Sequence, residues 1–146
     1  MDPNNPIVKL CAEGMEAESM GDAAKAAQLF NQAWQQSSDD FERCIAAHYV
    51  ARHQPSFERA FHWNQLALEC ADRVADGSAE VFYPSLYLNL GKSHEDLGNM
   101  KDAKINYERA MVRLDCVPAG GYRDIIQGGI ERGLQRMNMS YKSRPA

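Results

Sequence analysis

The chain has 146 residues, a length that suits one domain and can bury a core large enough to fold without a metal or a disulfide. Charged residues make up 25% and the set AVILMFWYC 45%, with ten glycines and six prolines, which excludes disordered, collagenous and low-complexity chains. A net charge of −4 argues against a general binder of nucleic acid or of acidic membranes.

Helix signals run from end to end, and no segment alternates apolar and polar residues as a strand would. Asn5–Pro6 supplies an N-cap and a proline at the first helical position, with Leu10, Gly14 and Ala17 following until Gly21 breaks the run. Asp22 opens a second helix with the stripe Ala23, Ala26, Phe30, Ala33 and Trp34. Asp39 and Glu42 have capping-box spacing ahead of a third, which holds Ile45 and Tyr49. After Pro55–Ser56 a fourth helix is predicted over 57–74, carrying Ala60, Trp63, Ala67 and Ala71. The Asp76–Gly77–Ser78 loop precedes a fifth that starts at Pro84, and Gly98 separates it from a sixth with Ala103, Tyr107, Ala110 and Leu114. Pro118 to Gly121 forms the last break, and a seventh helix is predicted to end near Met137.

Six of these helices pair into hairpins that align with one another. Gly14, His48 and Gly91 fall in register; twelve residues on come Ala26, Ala60 and Ala103, then Phe30, Asn64 and Tyr107, then Ala33, Ala67 and Ala110. The units are 34 and then 43 residues apart, and the turns fall at Gly21, Pro55 and Gly98. Small residues at helix crossings, Gly14 against Ala26 and Gly91 against Ala103, would let the two helices of a hairpin approach. Phe30 and Tyr107, with Trp63 standing in for the absent aromatic in the second unit, would fill the space toward the next. A single hairpin cannot bury its own apolar face, so such units must stack.

On these residues the chain resembles the tetratricopeptide-repeat family, in the manner of small bacterial-type three-repeat proteins, over residues 7–40, 41–74 and 84–117. The match is strong in the first and third units and weaker in the second, where His48 and Asn64 depart from the pattern. The resemblance implies an all-α fold, a right-handed superhelical stack of three hairpins plus a capping helix over 121–138. The expected domain is 7–138, with tails at 1–6 and 139–146. Residues 75–83 are expected either to lengthen the flanking helices or to form a loop.

It also implies that the first helix of each hairpin lines a concave groove that takes a peptide. The faces in question hold Val8, Cys11, Met15 and Glu18, then Ile45, Tyr49, Arg52 and His53, then Ser85, Leu88, Asn89 and Lys92. Tyr49, Arg52, His53, Asn89, Lys92 and Met15 are the candidate peptide-groove residues, with Arg52 and Lys92 able to pair a carboxylate. The clamp by which chaperone-binding relatives hold a C-terminal carboxylate is absent, because Cys11, Met15 and Ala46 stand where parts of it would be.

In the seventh helix Gly128, Gly129 and Gly133 are poor helix formers, which suggests close approach of another helix. Capping of the third hairpin explains them, and Gly129 and Gly133 are also candidates for self-association with a second copy. Arg123 beside Gly120–Gly121 would suit an anion or a plain helix-start loop. Residues 1–40 carry −5, residues 41–120 carry −2 and residues 121–146 carry +3, a distribution that would favour head-to-tail contacts.

Catalytic motifs are missing, and His48, His53, His62 and His94 have no metal-ligand spacing. Cys11, Cys44, Cys70 and Cys116 are scattered without a C-x-x-C pair, so zinc is not expected and the thiols read as free, small hydrophobes. Residues 1–20 hold no signal-peptide core and no stretch is long and apolar enough for a membrane span, so the cytoplasm is the expected location. The expected function is a non-enzymatic adaptor, without cofactor or metal, that binds a protein or peptide segment. An accessory subunit of an enzyme, a small-ligand sensor, or RNA binding through the basic C-terminal end are the alternatives.

Overall fold

The computed structural model describes the backbone of residues 1–142 and side chains as far as Met139. Among the described residues there are seven α-helices and no strand: α1 Pro6–Ser19, α2 Ala23–Gln36, α3 Asp40–Val50, α4 Phe57–Asp72, α5 Tyr83–Asp96, α6 Met100–Val112 and α7 Gly121–Lys142. The expected breaks all appear, but α4 stops two residues short of the predicted 74. Helix α7 continues past 138, so residues 139–142 are helix rather than tail, and the rest of that tail lies outside the described residues. Residues 75–83 do not extend α4: they hold a turn in which Asp76 accepts from the Ser78 backbone and hydroxyl, then a short 3-10 turn at Glu80–Phe82 that leads into α5. At this segment the chain divides into two compact units, Met1–Ala79 and Glu80–Ala146.

In the first unit, the Asn5 side chain accepts from the Ile7 and Val8 amides and starts α1. Asp22 caps α2 through the Lys25 amide, and Asp39 caps α3 through the Glu42 amide. Glu42 does not complete a capping box with Asp39. It reaches one residue further, to the Ser38 amide and hydroxyl, and also accepts from the Asn5 amide group at 2.9 Å, which ties the start of α1 to the start of α3. Burial opposes ionisation of this carboxyl, but the Ser38 and Asn5 hydrogen bonds outweigh it and hold it below the usual glutamate range.

The turn between α1 and α2 needs a glycine. Gly21 has φ of 80°, its amide bonds the Glu18 carbonyl, and the Asp22 amide bonds the Ala17 carbonyl. That is a Schellman ending, open to few residues besides glycine. Gly98 repeats it between α5 and α6, with φ of 82°, its amide on the Glu95 carbonyl and the Asn99 amide on the His94 carbonyl. The α3–α4 hairpin turns differently: a 3-10 turn at Ala51–His53 precedes Pro55, and the Gln54 side chain donates to the Val50 carbonyl.

The small residues at the crossings serve a different neighbour from the one expected. A Cβ on Gly14 would collide with the Phe30 ring, and one on Gly91 would lie 2.6 Å from the Tyr107 ring. Each glycine is therefore a seat for the aromatic of its own hairpin, not chiefly a facet against Ala26 or Ala103. Phe30 and Tyr107 have no exposed surface, and burying a ring of this size contributes about 2–3 kcal/mol. The Phe30 ring also stacks on Tyr49 at 5.1 Å, which joins hairpin one to α3, while Trp63 packs edge-on against Trp34 at 5.0 Å. In the second unit α7 packs on both α5 and α6, burying Ile126, Ile130 and Met137.

Candidate functional site

In the first unit the leading helices α1 and α3 are neighbours, and their shared face ends in a small polar cluster. Glu18 Oε2 accepts from Arg52 Nε at 3.0 Å and lies 2.7 Å from His53 Nε2. The His53 ring stacks over Phe30 at 5.8 Å, beside Tyr49 on the same ring, so an aromatic shelf backs the ion pair. Met15, one turn before Glu18, remains 45% exposed. Behind this face desolvation pushes the His48 imidazole down to about 4, with Arg52 adding to the effect, so it is neutral near pH 7.

The second unit repeats the arrangement with altered chemistry. Glu95 stands 77 residues after Glu18, in the same register, and accepts from the Tyr107 hydroxyl at 2.6 Å and from Arg136 Nε and Nη2 at 2.8 and 3.0 Å. Burial raises its pKa tendency, yet the Arg136 and Tyr107 bonds prevail and keep it below the usual value. Burial also pushes the Tyr107 phenol upward, and its bond to Glu95 reinforces that shift. Helix α7 thus meets α5–α6 as α3 meets α1–α2. The partner arginine is displaced by seven residues, two helical turns: after a longer connection through Leu114–Cys116 and Pro118, α7 begins four residues later in register than α3, and Arg136 lies three residues further from the start of its helix.

Each sequence-selected residue can now be placed. Arg52 and His53 are brought together by Glu18; Tyr49 is half-buried against Phe30; Met15 is exposed. Asn89 is half-buried on α5, and Lys92 is exposed and bonded to Asp96 at 2.7 Å. Both cations that were expected to offer a bare charge already carry a carboxylate partner. Four other residues assigned to the open faces are not open. Cys11 and Ile45 are closed into the core, Ser85 is buried with its hydroxyl on the Phe82 carbonyl, and Leu88 packs under α7. Gly129 and Gly133 are the points where α7 meets Leu88 and Tyr107 of its own unit, as the capping alternative requires. Arg123 is bonded to Asp115 and to the Val117 carbonyl, not held ready for an anion.

The Glu18–Arg52 and Glu95–Arg136 pairs escaped sequence reading, although Glu18 and Arg52 lie one 34-residue period apart and so occupy matching places on adjacent leading helices. Chemically these faces can hold side chains and donate hydrogen bonds. Among the described residues no group of three or more His, Cys, Asp or Glu could hold a metal ion. Desolvation pushes the Cys11 and Cys44 thiols up to about 12, so neither is a nucleophile near pH 7.

Residues 84–111, which lie within α5–α6, match the tetratricopeptide-repeat family model. The third hairpin is a tetratricopeptide repeat. Among the described residues the chain is all-helical, and the first hairpin seats its aromatic on a glycine as the third does, which is consistent with a tetratricopeptide-type helical repeat. A repeat of this kind suggests a protein-interaction module in general. No curated protein and no solved structure matches the chain.

Proposed function

We propose that the chain is an adaptor whose leading-helix faces hold a segment of another protein, with Met15, Tyr49, Arg52 and His53 contacting it in the first unit and Asn89 and Lys92 in the second. One observation carries this reading. Met15 and Lys92 occupy the same register position, 77 residues apart, and both are exposed one turn before a glutamate held by an arginine, Arg52 just after α3 and Arg136 on α7. The lock fixes the face, and the exposed position before it is left for a ligand. Because Arg52 and Lys92 are already paired, recognition rests on shape, apolar contact and hydrogen bonding more than on attraction to acid. A reducing compartment such as the cytoplasm suits the buried free thiols Cys11, Cys44 and Cys70.

The test is affinity purification from the native host with identification by mass spectrometry. Met15→Glu combined with Lys92→Glu is expected to lose partners that the wild type retains, while Arg52→Ala with Lys92→Ala weakens them less. A partner set unchanged by the Met15→Glu, Lys92→Glu pair overturns the reading.

A further inference from the structure

The exposed face of α6 is not used in the reading above. Val112 is 81% exposed, and with Ile105, Glu108, Arg109, Arg113 and Tyr87 it lines an open cavity of about 410 Å3. At the rim Arg113 lies 4.4 Å over the Tyr83 ring and bonds Glu80 at 3.1 Å. The same positions of the first hairpin, 77 residues earlier, are Gln28, Asn31, Gln32, Gln35 and Gln36, with Leu10 in place of Tyr87. Where hairpin one presents amides to water, hairpin three presents two aliphatic side chains seven residues apart with opposite charges between them.

The spacing is self-complementary. We infer that this face pairs with the same face of a second copy, α6 against α6 in antiparallel orientation about a two-fold axis between Glu108 and Arg109. That axis places Ile105 opposite Val112 of the second copy, and Glu108 opposite Arg109 of the second copy, each contact occurring twice. Among the described residues Glu108 makes a long 3.8 Å contact to Lys104, so it can turn to a better partner. Lys104 falls opposite Arg113 of the second copy, but Glu80 already pairs Arg113 at 3.1 Å and offsets that like-charge contact. Such isologous contacts are the commonest symmetry in oligomers. About that axis the two helices overlap over residues 105–112, roughly 12 Å, a short seam, so the dimer is a weak one with a dissociation constant between micromolar and millimolar.

Sedimentation equilibrium on the full chain, from micromolar to millimolar concentration, tests this. Wild type is expected to dimerise. Val112→Glu, Glu108→Arg and Arg109→Glu are each expected to weaken the dimer about tenfold or more, because each lies on the two-fold contact twice. The double exchange Glu108→Arg with Arg109→Glu restores it, since the pairs are then reversed on both copies. All three positions are on the outside, and circular dichroism verifies that each variant folds. A wild type that stays monomeric throughout, a dimer indifferent to the single changes, or a double exchange without recovery would each overturn the inference.

Discussion

Replacing Gly91 with alanine tests the seat on which the hairpin is built. The added Cβ would lie 2.6, 2.7 and 3.0 Å from three atoms of the Tyr107 ring, where ordinary contact begins near 3.4 Å. The ring cannot move aside. Its hydroxyl is held by Glu95 at 2.6 Å, and on its other side a Cβ at Gly133 would be equally close, so α7 blocks retreat. Overpacking of this kind costs about 1–3 kcal/mol, and the better helix propensity of alanine returns up to about 1 kcal/mol. A net loss of about 1–2 kcal/mol is expected, which lowers the melting temperature of a unit this size by roughly 5–15 °C. Gly128→Ala is the control. Its Cβ meets only the far end of the Arg132 side chain at 3.0 Å, so the propensity gain dominates and stability rises by about 0.5–1 kcal/mol. Urea titration followed by circular dichroism at 222 nm reads both. A Gly91→Ala chain as stable as wild type, or the same sign for both substitutions, refutes the reasoning.

Arg136→Ala removes a two-pronged bond to a carboxylate that is mostly buried, and should cost about 1–2 kcal/mol; Arg52→Ala removes a single exposed bond and should cost about 0.5 kcal/mol, as compared in the same titration. Asn5→Ala deletes both the N-cap of α1 and the bond to Glu42, and should lower stability by about 1–2 kcal/mol, visible as earlier loss of helix signal on heating. His48 makes stability pH-dependent. The unfolded chain takes up this proton below about 6.5 and the folded chain only below about 4, so the stabilisation is lost as pH falls from 6.5 to 4, by about 3 kcal/mol in full. His48→Leu should flatten that window, leaving the decline at lower pH from Glu42 and Glu95, whose lowered pKa values place their loss there.

Much of the fold is legible because helix punctuation is local. Asn5, Asp22 and Asp39 cap where their side chains reach the next amides, and Gly21 and Gly98 end helices because few other residues take their φ. The register of Gly14 with Gly91 and Phe30 with Tyr107 was legible too, but which of these residues touch was not, since an alignment gives positions and not the direction a ring takes. The candidate site was half legible. Period and register found the faces that hold Met15, Tyr49, Arg52 and Lys92, but assigned Cys11, Ile45, Ser85 and Leu88 to open surface. Whether a position near the edge of a helix face is covered depends on the crossing angle and on the helix packed next to it, and neither is written in a single hairpin. The seven-residue displacement of Arg136 relative to Arg52 is of the same kind: α7 begins four residues later in register than α3, and its arginine lies further along the helix.

Photo-crosslinking from a benzoyl-phenylalanine placed at Met15, with a second probe at Gln32 on the outside of α2, tests the adaptor reading most directly. In the native host the Met15 probe should trap one reproducible segment of another protein, mapped by mass spectrometry, and the Gln32 probe should not. Equal capture from both positions, or none from Met15 while the outside probe captures a partner, would contradict it.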